Sequence, residues 1–382
     1  MASKTLIDTV KSYDRYILQK GSDLKSIRQF TMTEDVMKAY TLACQVAIEG
    51  EKEIEYGLKL SHRVKNMLAD FAIAKGFKDI FHLEHWAKKE LKDEIPSPIK
   101  YYYDILLMEC RYLFDSYLLY LEKNREYNRK FYEPRRKCLL KTGIIQALQD
   151  LEDDKLDILS ISMPPSTGKT TLEKFFQTWV IGRFVEDSNL FFSHSGEITR
   201  MYYDGIYDIT TSDEYTYKEI FPEIKMTSTN AKSEQINFGQ YEPFPNVQCT
   251  SIGSANAGKV RCNHLLMCDD LIGGIEVALN KNQLDKLWAI YTVDARQRKM
   301  DGCKELHIAT RWSVHDVIGR LQTTFEDNDR ARFIAVPDID PETNKSNFDY
   351  DINGFSVEFF NNQALLMDDK SKIGRASCRE RV

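Results

Sequence analysis

The sequence predicts an α/β fold: a mainly parallel sheet flanked by helices and preceded by a helical N-terminal region. After about residue 131, short apolar runs alternate with helical patterns, which is typical of β-α-β units. One run leads into a Gly-Lys-Thr loop and then a helical stretch, which is the context of a phosphate-binding loop. The predicted strands are 156–163, 190–193, 265–268, 306–309 and 333–336.

Residues 1–130 are predicted to be helical. One apolar face follows the three- and four-residue spacing of an amphipathic helix and consists of Val64, Met67, Leu68, Phe71 and Ala72. Pro96 and Pro98 interrupt the helical pattern, and a further long helix is predicted over 101–129. The sequence of this region indicates no function of its own.

Composition bounds the class of protein. A chain of 382 residues is long enough for two domains. A net charge of -6 and a pI near 5.8 exclude a histone-like basic coat, although a few basic loops can still contact DNA. The 8 cysteines form no C-x-x-C pair, which favours reduced thiols. The N-terminus lacks the apolar core of a signal peptide, so we expect a soluble cytoplasmic protein without a membrane span.

The last residues differ in character from the rest. Residues 372–382, KIGRASCRERV, resemble the translation of a sequencing adapter and are therefore excluded from the fold prediction. We expect the natural chain to continue beyond residue 371. The alternative is a natural basic tail.

The phosphate loop is the most informative segment. Its candidate nucleotide-binding residues are Pro165, Ser166, Thr167, Gly168, Lys169, Thr170 and Thr171. Backbone N–H groups at the start of the following helix favour a bound phosphate, Lys169 can reach terminal phosphates, and the Thr170 hydroxyl can ligate Mg²⁺. We therefore predict a P-loop NTPase that binds ATP and Mg²⁺. Met163 stands where the usual pattern has glycine, so an ordinary loop before a helix is the alternative.

Two further predicted strands end in polar residues. Asp269 and Asp270 follow the strand 265–268, where Asp269 would hold Mg²⁺ and Asp270 would orient the attacking water. Thr310 and Arg311 follow the strand 306–309 and are candidates for sensing the terminal phosphate. The alternatives are a solvated turn for the aspartates and a structural ion pair for Arg311.

Three segments together resemble the large terminase subunit of tailed bacteriophages. They are 161–171, 264–274 and 307–321, and the resemblance extends over about 131–336. The Met-Pro-Pro form of the phosphate loop is typical of that family, as are the double aspartate and the Thr-Arg-Trp segment. Weaker similarity covers 193–195, after the second predicted strand, and 219–222.

The resemblance implies an ASCE-type ATPase that drives double-stranded DNA into a procapsid, in the cytoplasm of an infected bacterium. It further implies a homo-oligomeric ring on the portal protein, a small terminase subunit as partner, and a C-terminal nuclease domain in the full-length protein. The implied organisation is a helical region at 1–130, an ATPase domain at 131–340, and a linker toward the nuclease at 341–371.

Some positions depart from the family pattern. Ser166 stands where many relatives carry arginine, which leaves Arg261 or Arg311 as candidate arginine fingers. Asp270 stands where many relatives carry glutamate, which makes Glu276 a second candidate for the catalytic carboxylate. Residues 132–136 resemble the segment in which relatives contact the nucleotide base, and a solvated linker turn is the alternative.

Two other functions stay open. A helicase-like P-loop motor would separate DNA strands, whereas a packaging motor would move intact duplex. A non-catalytic, nucleotide-sensing subunit that docks on the portal would bind ATP without turnover, but the paired Asp269 and Asp270 favour hydrolysis over binding alone.

Overall fold

The structure, a computed structural model, describes residues 2–50, 53–92, 95–239, 244–254 and 260–365. The chain divides into two compact units, the first ending at Tyr120 and the second beginning at Leu121. The boundary predicted at residue 130 therefore lies inside the second unit. The predicted adapter remnant, 372–382, lies outside the described residues.

The first unit is helical throughout its described elements, as the sequence predicts. Its helices are α1 (Ala2–Lys20), α2 (Leu24–Thr31), α3 (Glu34–Glu49), α4 (Ile54–Ala74), α5 (Ile80–Glu90), α6 (Ser97–Glu109) and α7 (Phe114–Leu121), the last of which ends at the unit boundary. The predicted apolar face lies on α4, where Val64, Leu68 and Ala72 are fully buried.

The single long helix predicted over 101–129 is wrong, because the chain turns after Glu109 at the end of α6. The Glu109 side chain is fully buried and accepts hydrogen bonds from the hydroxyls of Ser61 and Ser116. Lys65 Nζ lies 2.7 Å from the same carboxylate. A buried carboxylate needs such partners, and the turn brings Ser116 of α7 to it.

The second unit is an α/β assembly. Its helices are α8 (Arg136–Lys141), α9 (Ile144–Glu152), α10 (Lys169–Arg183), α11 (Gly196–Thr211), α12 (Tyr217–Ile220), α13 (Ile275–Ala278), α14 (Lys281–Ile290), α15 (Val317–Thr324) and α16 (Val357–Leu365). Its strands are β1 (Ile158–Ser162), β2 (Asn189–Ser193), β3 (Met226–Asn230), β4 (Gln235–Phe238), β5 (Val247–Ser251), β6 (Leu265–Asp269), β7 (Lys304–Ala309) and β8 (Ala331–Ala335).

Among the described residues the strands form one mixed sheet in the order β3-β4-β5-β2-β6-β7-β1-β8. All five predicted strands are present, as β1, β2, β6, β7 and β8. In this spatial order, all neighbouring strands between β5 and β8 pair in parallel. Strands β3 and β4 form an antiparallel hairpin, and β4 pairs antiparallel with β5; the sequence analysis did not predict this hairpin. The sheet is therefore mixed rather than wholly parallel.

The order of the central strands positions the site. β7 lies between β1 and β6, with Ser162 paired to Ala309 and Asp269 paired to Ile308. Every residue of β1, β2 and β6 is buried, so these strands form the core of the sheet. Because the strands are parallel, their carboxyl ends lie at one edge, where loops can carry chemistry.

None of the described helices is both long and apolar enough to cross a membrane.

A buried ionic cluster lies at the opposite, amino end of β6. His264 Nδ1 lies 2.9 Å from Asp187 Oδ2, and His264 Nε2 lies 3.1 Å from Glu152 Oε2. Burial would lower the pKa of His264, but its two carboxylate partners raise that pKa to about 9. The imidazolium is therefore the form that the folded protein stabilises.

We predict that His264→Gln flattens the alkaline side of the stability profile. The pKa of His264 is about 6.5 in the unfolded chain and about 9 in the folded protein. The stabilisation that His264 contributes is therefore complete below pH 6.5 and is lost as the pH rises toward 9. The measurement is urea unfolding at pH 6, 7, 8 and 9. Between pH 6 and pH 9 the wild type should lose roughly 2 to 3 kcal/mol of unfolding free energy through this group, at about 1.4 kcal/mol per pKa unit, and His264→Gln should not.

His315→Gln, at an exposed position, is the matched control and should leave the profile unchanged. If His264→Gln keeps the full wild-type decline between pH 6.5 and 9, the cluster does not hold a charged histidine.

Candidate active site

The predicted polar residues meet at one edge of the sheet. The phosphate loop follows β1, Thr310 follows β7, and Asp269 and Asp270 lie at the end of β6. His194 follows β2, the next strand in the order. The structure therefore brings together side chains that lie more than a hundred residues apart in the chain.

The loop from Pro164 to Gly168 has an unusual backbone. Ser166 and Gly168 have φ angles of 64° and 96°, both in the left-handed region. Thr167 is buried, and its hydroxyl donates to the Pro164 carbonyl at 2.8 Å. Backbone N–H groups of consecutive residues that alternate between right- and left-handed conformations can form a concave anion site, and α10 begins directly after Gly168.

Gly168 is required here for a second reason. A Cβ at this position would overlap the Phe131 ring, whose Cζ would lie 3.0 Å away. Phe131 in turn packs edge-to-face on Phe175 of α10, with ring centroids 5.6 Å apart. Phe131, held by Phe175, thus packs directly against the phosphate loop at Gly168.

Lys169 connects the phosphate loop to the end of β7. The buried ammonium donates to the carbonyls of Met163 and Pro164 at 3.2 and 3.0 Å, and to the Thr310 hydroxyl at 2.9 Å. Thr310 Oγ1 also donates to the Met163 carbonyl at 3.4 Å. Lys169 therefore places its positive charge between the phosphate loop and β7.

Thr170 connects the same loop to β6. Its hydroxyl donates to Asp269 Oδ2 at 2.7 Å, across the end of the intervening strand β7. The two residues that the sequence analysis assigns to Mg²⁺ are thus in direct contact with each other. Thr171, the next residue, is half-buried, and Pro165 and Ser166 are exposed.

Asp269 is held in an environment that disfavours its charge. Burial, reinforced by the neighbouring charge of Asp270, raises the pKa of Asp269 to about 7, against the opposing effects of Thr170, Lys169 and Lys174. Its Oδ1 atom is buried and has no hydrogen-bond partner among the described residues. A buried carboxylate oxygen without a donor is suited to a cation.

These residues fit Mg²⁺ shared with phosphates rather than a cage of protein ligands. The described part of the chain contains no group of three or more His, Cys, Asp or Glu residues placed to hold a metal. Mg²⁺ usually takes one or two protein oxygens and completes its shell with phosphate and water. Thr170 Oγ1 and Asp269 supply such a pair.

Asp270 has a strained backbone that aims its side chain at β7. Its φ is 38°, and its N–H donates to the Ile308 carbonyl at 3.0 Å. Its Oδ1 accepts the Thr310 N–H at 2.8 Å. The residue is only partly buried, so its carboxylate lies beside the phosphate loop and within reach of solvent.

Arg311 forms the structural ion pair that the sequence left open. The side chain is buried, with Nε 3.2 Å from Asp316 Oδ2, and its other contacts lie within the same segment, at Ser313 and Gln322. Asp316 also caps α15 by accepting the Gly319 N–H at 2.7 Å. The pair thus joins the end of β7 to α15, and a catalytic role for Arg311 stays a prediction.

The remaining candidates are not brought into the site. Glu276 is exposed on α13, and no hydrogen bond or ion pair in the described residues joins it to Asp269 or Asp270. Arg261, the other candidate arginine finger, is also exposed. Among the candidate carboxylates, the geometry favours Asp270.

Glu173 is a site residue that the sequence analysis missed. It lies one turn after Thr170 on α10, is fully buried, and neither carboxylate oxygen has a hydrogen-bond partner among the described residues. Burial, with the nearby charges of Asp269 and Asp270, raises the pKa of Glu173 well above its ordinary value. No sequence pattern shows that this glutamate, rather than another polar residue of α10, is buried beside the acidic pair.

Residues beyond β8 also reach the phosphate loop. The Tyr350 hydroxyl donates to the Thr167 carbonyl at 3.1 Å, and Phe348 and Tyr350 are buried. The Arg135 guanidinium lies 4.7 Å from the Phe131 ring centre and 4.8 Å from that of Tyr350. Part of the predicted linker is thus packed inside the second unit, next to the phosphate loop, and Arg135 is stacked rather than solvated.

No protein-family model and no curated protein matches the chain. The terminase resemblance therefore rests on the residues quoted from the sequence, and the geometry of the site has to carry the functional argument.

We predict that Gly168→Ala destabilises the second unit by about 2 to 4 kcal/mol. A left-handed φ costs a residue with a Cβ about 1 to 2 kcal/mol, and displacement of Phe131 adds to it. The measurement is urea unfolding of the purified protein.

Gly143→Ala is the matched control, because Gly143 also precedes a helix with a positive φ of 74° but has nothing within 4 Å of a Cβ. Gly143→Ala should lower the free energy of unfolding only by the cost of the left-handed backbone, about 1 to 2 kcal/mol. In a Phe131→Ala background the excess cost of Gly168→Ala should disappear. An equal cost for the two glycine variants would show that Phe131 does not set the loop.

Proposed function

We propose that the second unit is a Mg²⁺-dependent ATPase and that the chain is the motor part of a phage-type terminase large subunit. The observation that carries the ATPase proposal is the 2.7 Å hydrogen bond from the Thr170 hydroxyl to buried Asp269. It joins an anion-binding loop to a carboxylate with an unpartnered oxygen. This is the combination that a nucleotide phosphate with its metal requires.

The phosphate loop supplies the binding half of the proposed site. Backbone N–H groups at the start of α10 and the Lys169 ammonium attract the terminal phosphates. Thr170 and Asp269 would hold Mg²⁺, which when bound neutralises charge on the phosphate oxygens. When phosphate binds, the Lys169 ammonium would exchange its present hydrogen bonds to carbonyl and hydroxyl oxygens for hydrogen bonds to phosphate oxygens. Charged phosphate oxygens are the stronger acceptors.

Asp270 supplies the proposed catalytic half. Its carboxylate is partly exposed and lies beside the phosphate loop, which suits a group that orients an attacking water. One of its oxygens is occupied by the Thr310 N–H at 2.8 Å. The carboxylate therefore has a fixed orientation, and its other oxygen is the one proposed to accept from water.

Thr310 provides a route from hydrolysis to movement. It contacts both Lys169 and Asp270, and the next residue, Arg311, is paired with Asp316 at the start of α15. A change at the terminal phosphate would alter the Lys169–Thr310 contact first. We propose that α15 then moves together with the end of β7. Packed helices in other proteins shift between two discrete positions in this way.

The remaining parts of the proposal rest on the resemblance at 161–171, 264–274 and 307–321. They are translocation of double-stranded DNA into a procapsid, a homo-oligomeric ring on the portal, a small terminase partner, and a nuclease domain in the full-length protein. Both the helicase-like and the docking alternatives share the phosphate loop. No contact within the described residues favours either over the packaging motor.

We predict that Lys169→Ala lowers ATP turnover by at least about a thousandfold, because transition-state charge on the phosphate would lose its cation. Thr170→Ala should lower turnover by about a hundredfold or more and raise the Mg²⁺ concentration needed for half-maximal rate. The measurement is steady-state phosphate release with purified protein, over a Mg²⁺ titration.

Thr170→Ser is the matched control, because it keeps the hydroxyl that contacts Asp269 and should retain most of the activity. Lys232→Ala, at an exposed position away from the site, should behave as wild type. Full turnover in Lys169→Ala would contradict the site assignment.

A further inference from the structure

We propose that His194 is a positioning residue for this reaction, and that its Nδ1–H holds the Asp270 backbone so that the Asp270 carboxylate stays against Thr310. The inference rests on the proposed ATPase function and adds a residue that directly follows β2, where the sequence analysis assigned no site residue.

The fold places His194 beside the acidic pair. β2 pairs in parallel with β6, and Ser193 is in register with Asp269. The residues that follow, His194 and Asp270, therefore leave the sheet side by side. His194 Nδ1 lies 2.7 Å from the Asp270 carbonyl oxygen, which is a hydrogen-bond distance.

That contact determines where the imidazole proton lies. A carbonyl oxygen only accepts, so Nδ1 carries the hydrogen and donates it. In the neutral ring Nε2 is then the acceptor nitrogen. Nε2 makes no hydrogen bond within the part of the chain that the structure describes. The contact with Asp270 thus selects one tautomer.

Asp270 needs such a restraint. A φ of 38° lies in the left-handed region, which costs a residue with a Cβ about 1 to 2 kcal/mol and persists only where neighbouring contacts enforce it. Two of these contacts come from β7, through Ile308 and Thr310. His194 provides the restraint from the opposite side, so Asp270 is held from both neighbouring strands.

The ring itself has little freedom. A Cβ on Gly273 would lie 3.0 Å from His194 Cδ2, so the backbone after Asp270 packs against the imidazole edge. On the chain side, Ser195 is fixed as the N-cap of α11 and accepts the Ile198 N–H at 3.4 Å. The half-buried imidazole thus contacts the 270–273 turn on one side, and its backbone leads directly into the capped start of α11.

Two amide variants, His194→Asn and His194→Gln, test the roles of the two ring nitrogens separately. The Asn amide N–H reaches the position of Nδ1, and the Gln amide reaches the position of Nε2. If the hydrogen bond to Asp270 is what matters, His194→Asn retains most of the wild-type kcat and His194→Gln does not. His194→Ala should lower kcat by about ten- to a hundredfold, as for a misplaced reacting group.

Binding should separate from turnover in these variants. Within the described residues His194 makes no hydrogen bond to the phosphate loop, so the Kd for Mg·ATP should stay within about twofold of wild type in all three variants. Urea unfolding checks that each variant is folded. Wild-type kcat in His194→Ala, better rescue by Gln than by Asn, or a parallel loss of binding would overturn the inference.

A second measurement does not depend on activity. In wild-type protein labelled with ¹⁵N-histidine, the neutral His194 ring should show the Nδ1–H tautomer, because Nδ1 donates to the Asp270 carbonyl. An Nε2–H tautomer would overturn the inference whatever the turnover. An Nδ1–H tautomer in a wild type that hydrolyses no ATP would instead defeat the proposed function, and the catalytic role of His194 with it.

Discussion

The hydrogen bond between Thr170 and Asp269 sets the geometry on which the site depends. It joins the first turn of α10 to the end of β6, although β7 lies between β6 and the strand that precedes α10. β7 ends at Ala309, and Thr310 is the next residue of the chain. Thr310 then fills the gap and hydrogen-bonds with both Lys169 and Asp270, so three strand ends act as one unit.

The same arrangement concentrates buried charge. Asp269 and Glu173 are both buried, and each has carboxylate oxygen that no described group satisfies. Unsatisfied buried carboxylates are costly, and their pKa values are raised accordingly. A cation at Asp269 would offset part of that cost. Under the proposed function, bound metal and phosphates would therefore stabilise the site, since a ligand that binds only the folded state stabilises that state.

The sequence predicted the elements whose signals are local. β1, β6 and β7 are apolar runs between turn residues, and the polar residues of the site follow them directly. The hairpin β3–β4 was missed because β3 is almost entirely exposed and polar. The helix predicted over 101–129 failed because a buried carboxylate, Glu109, has partners that periodicity does not reveal.

The proposed roles of Lys169 and Thr170 come from the loop pattern. The sequence analysis already placed Asp270 ahead of Glu276, and the structure adds that Asp270 accepts the Thr310 N–H after β7. The ion pair of Arg311 with Asp316 and the contact of His194 with Asp270 depend on rotamers and strand register. Such contacts between distant segments have no signature in a single sequence.

The most direct test of the account is a crystal structure of the protein with Mg²⁺, ADP and aluminium fluoride. We predict phosphate and fluoride groups on the backbone N–H groups of 166–170, and Mg²⁺ about 2.1 Å from Thr170 Oγ1, with Asp269 bound to it directly or through water. Nucleotide bound elsewhere, with the Thr170–Asp269 hydrogen bond unchanged and no metal between them, would contradict the account.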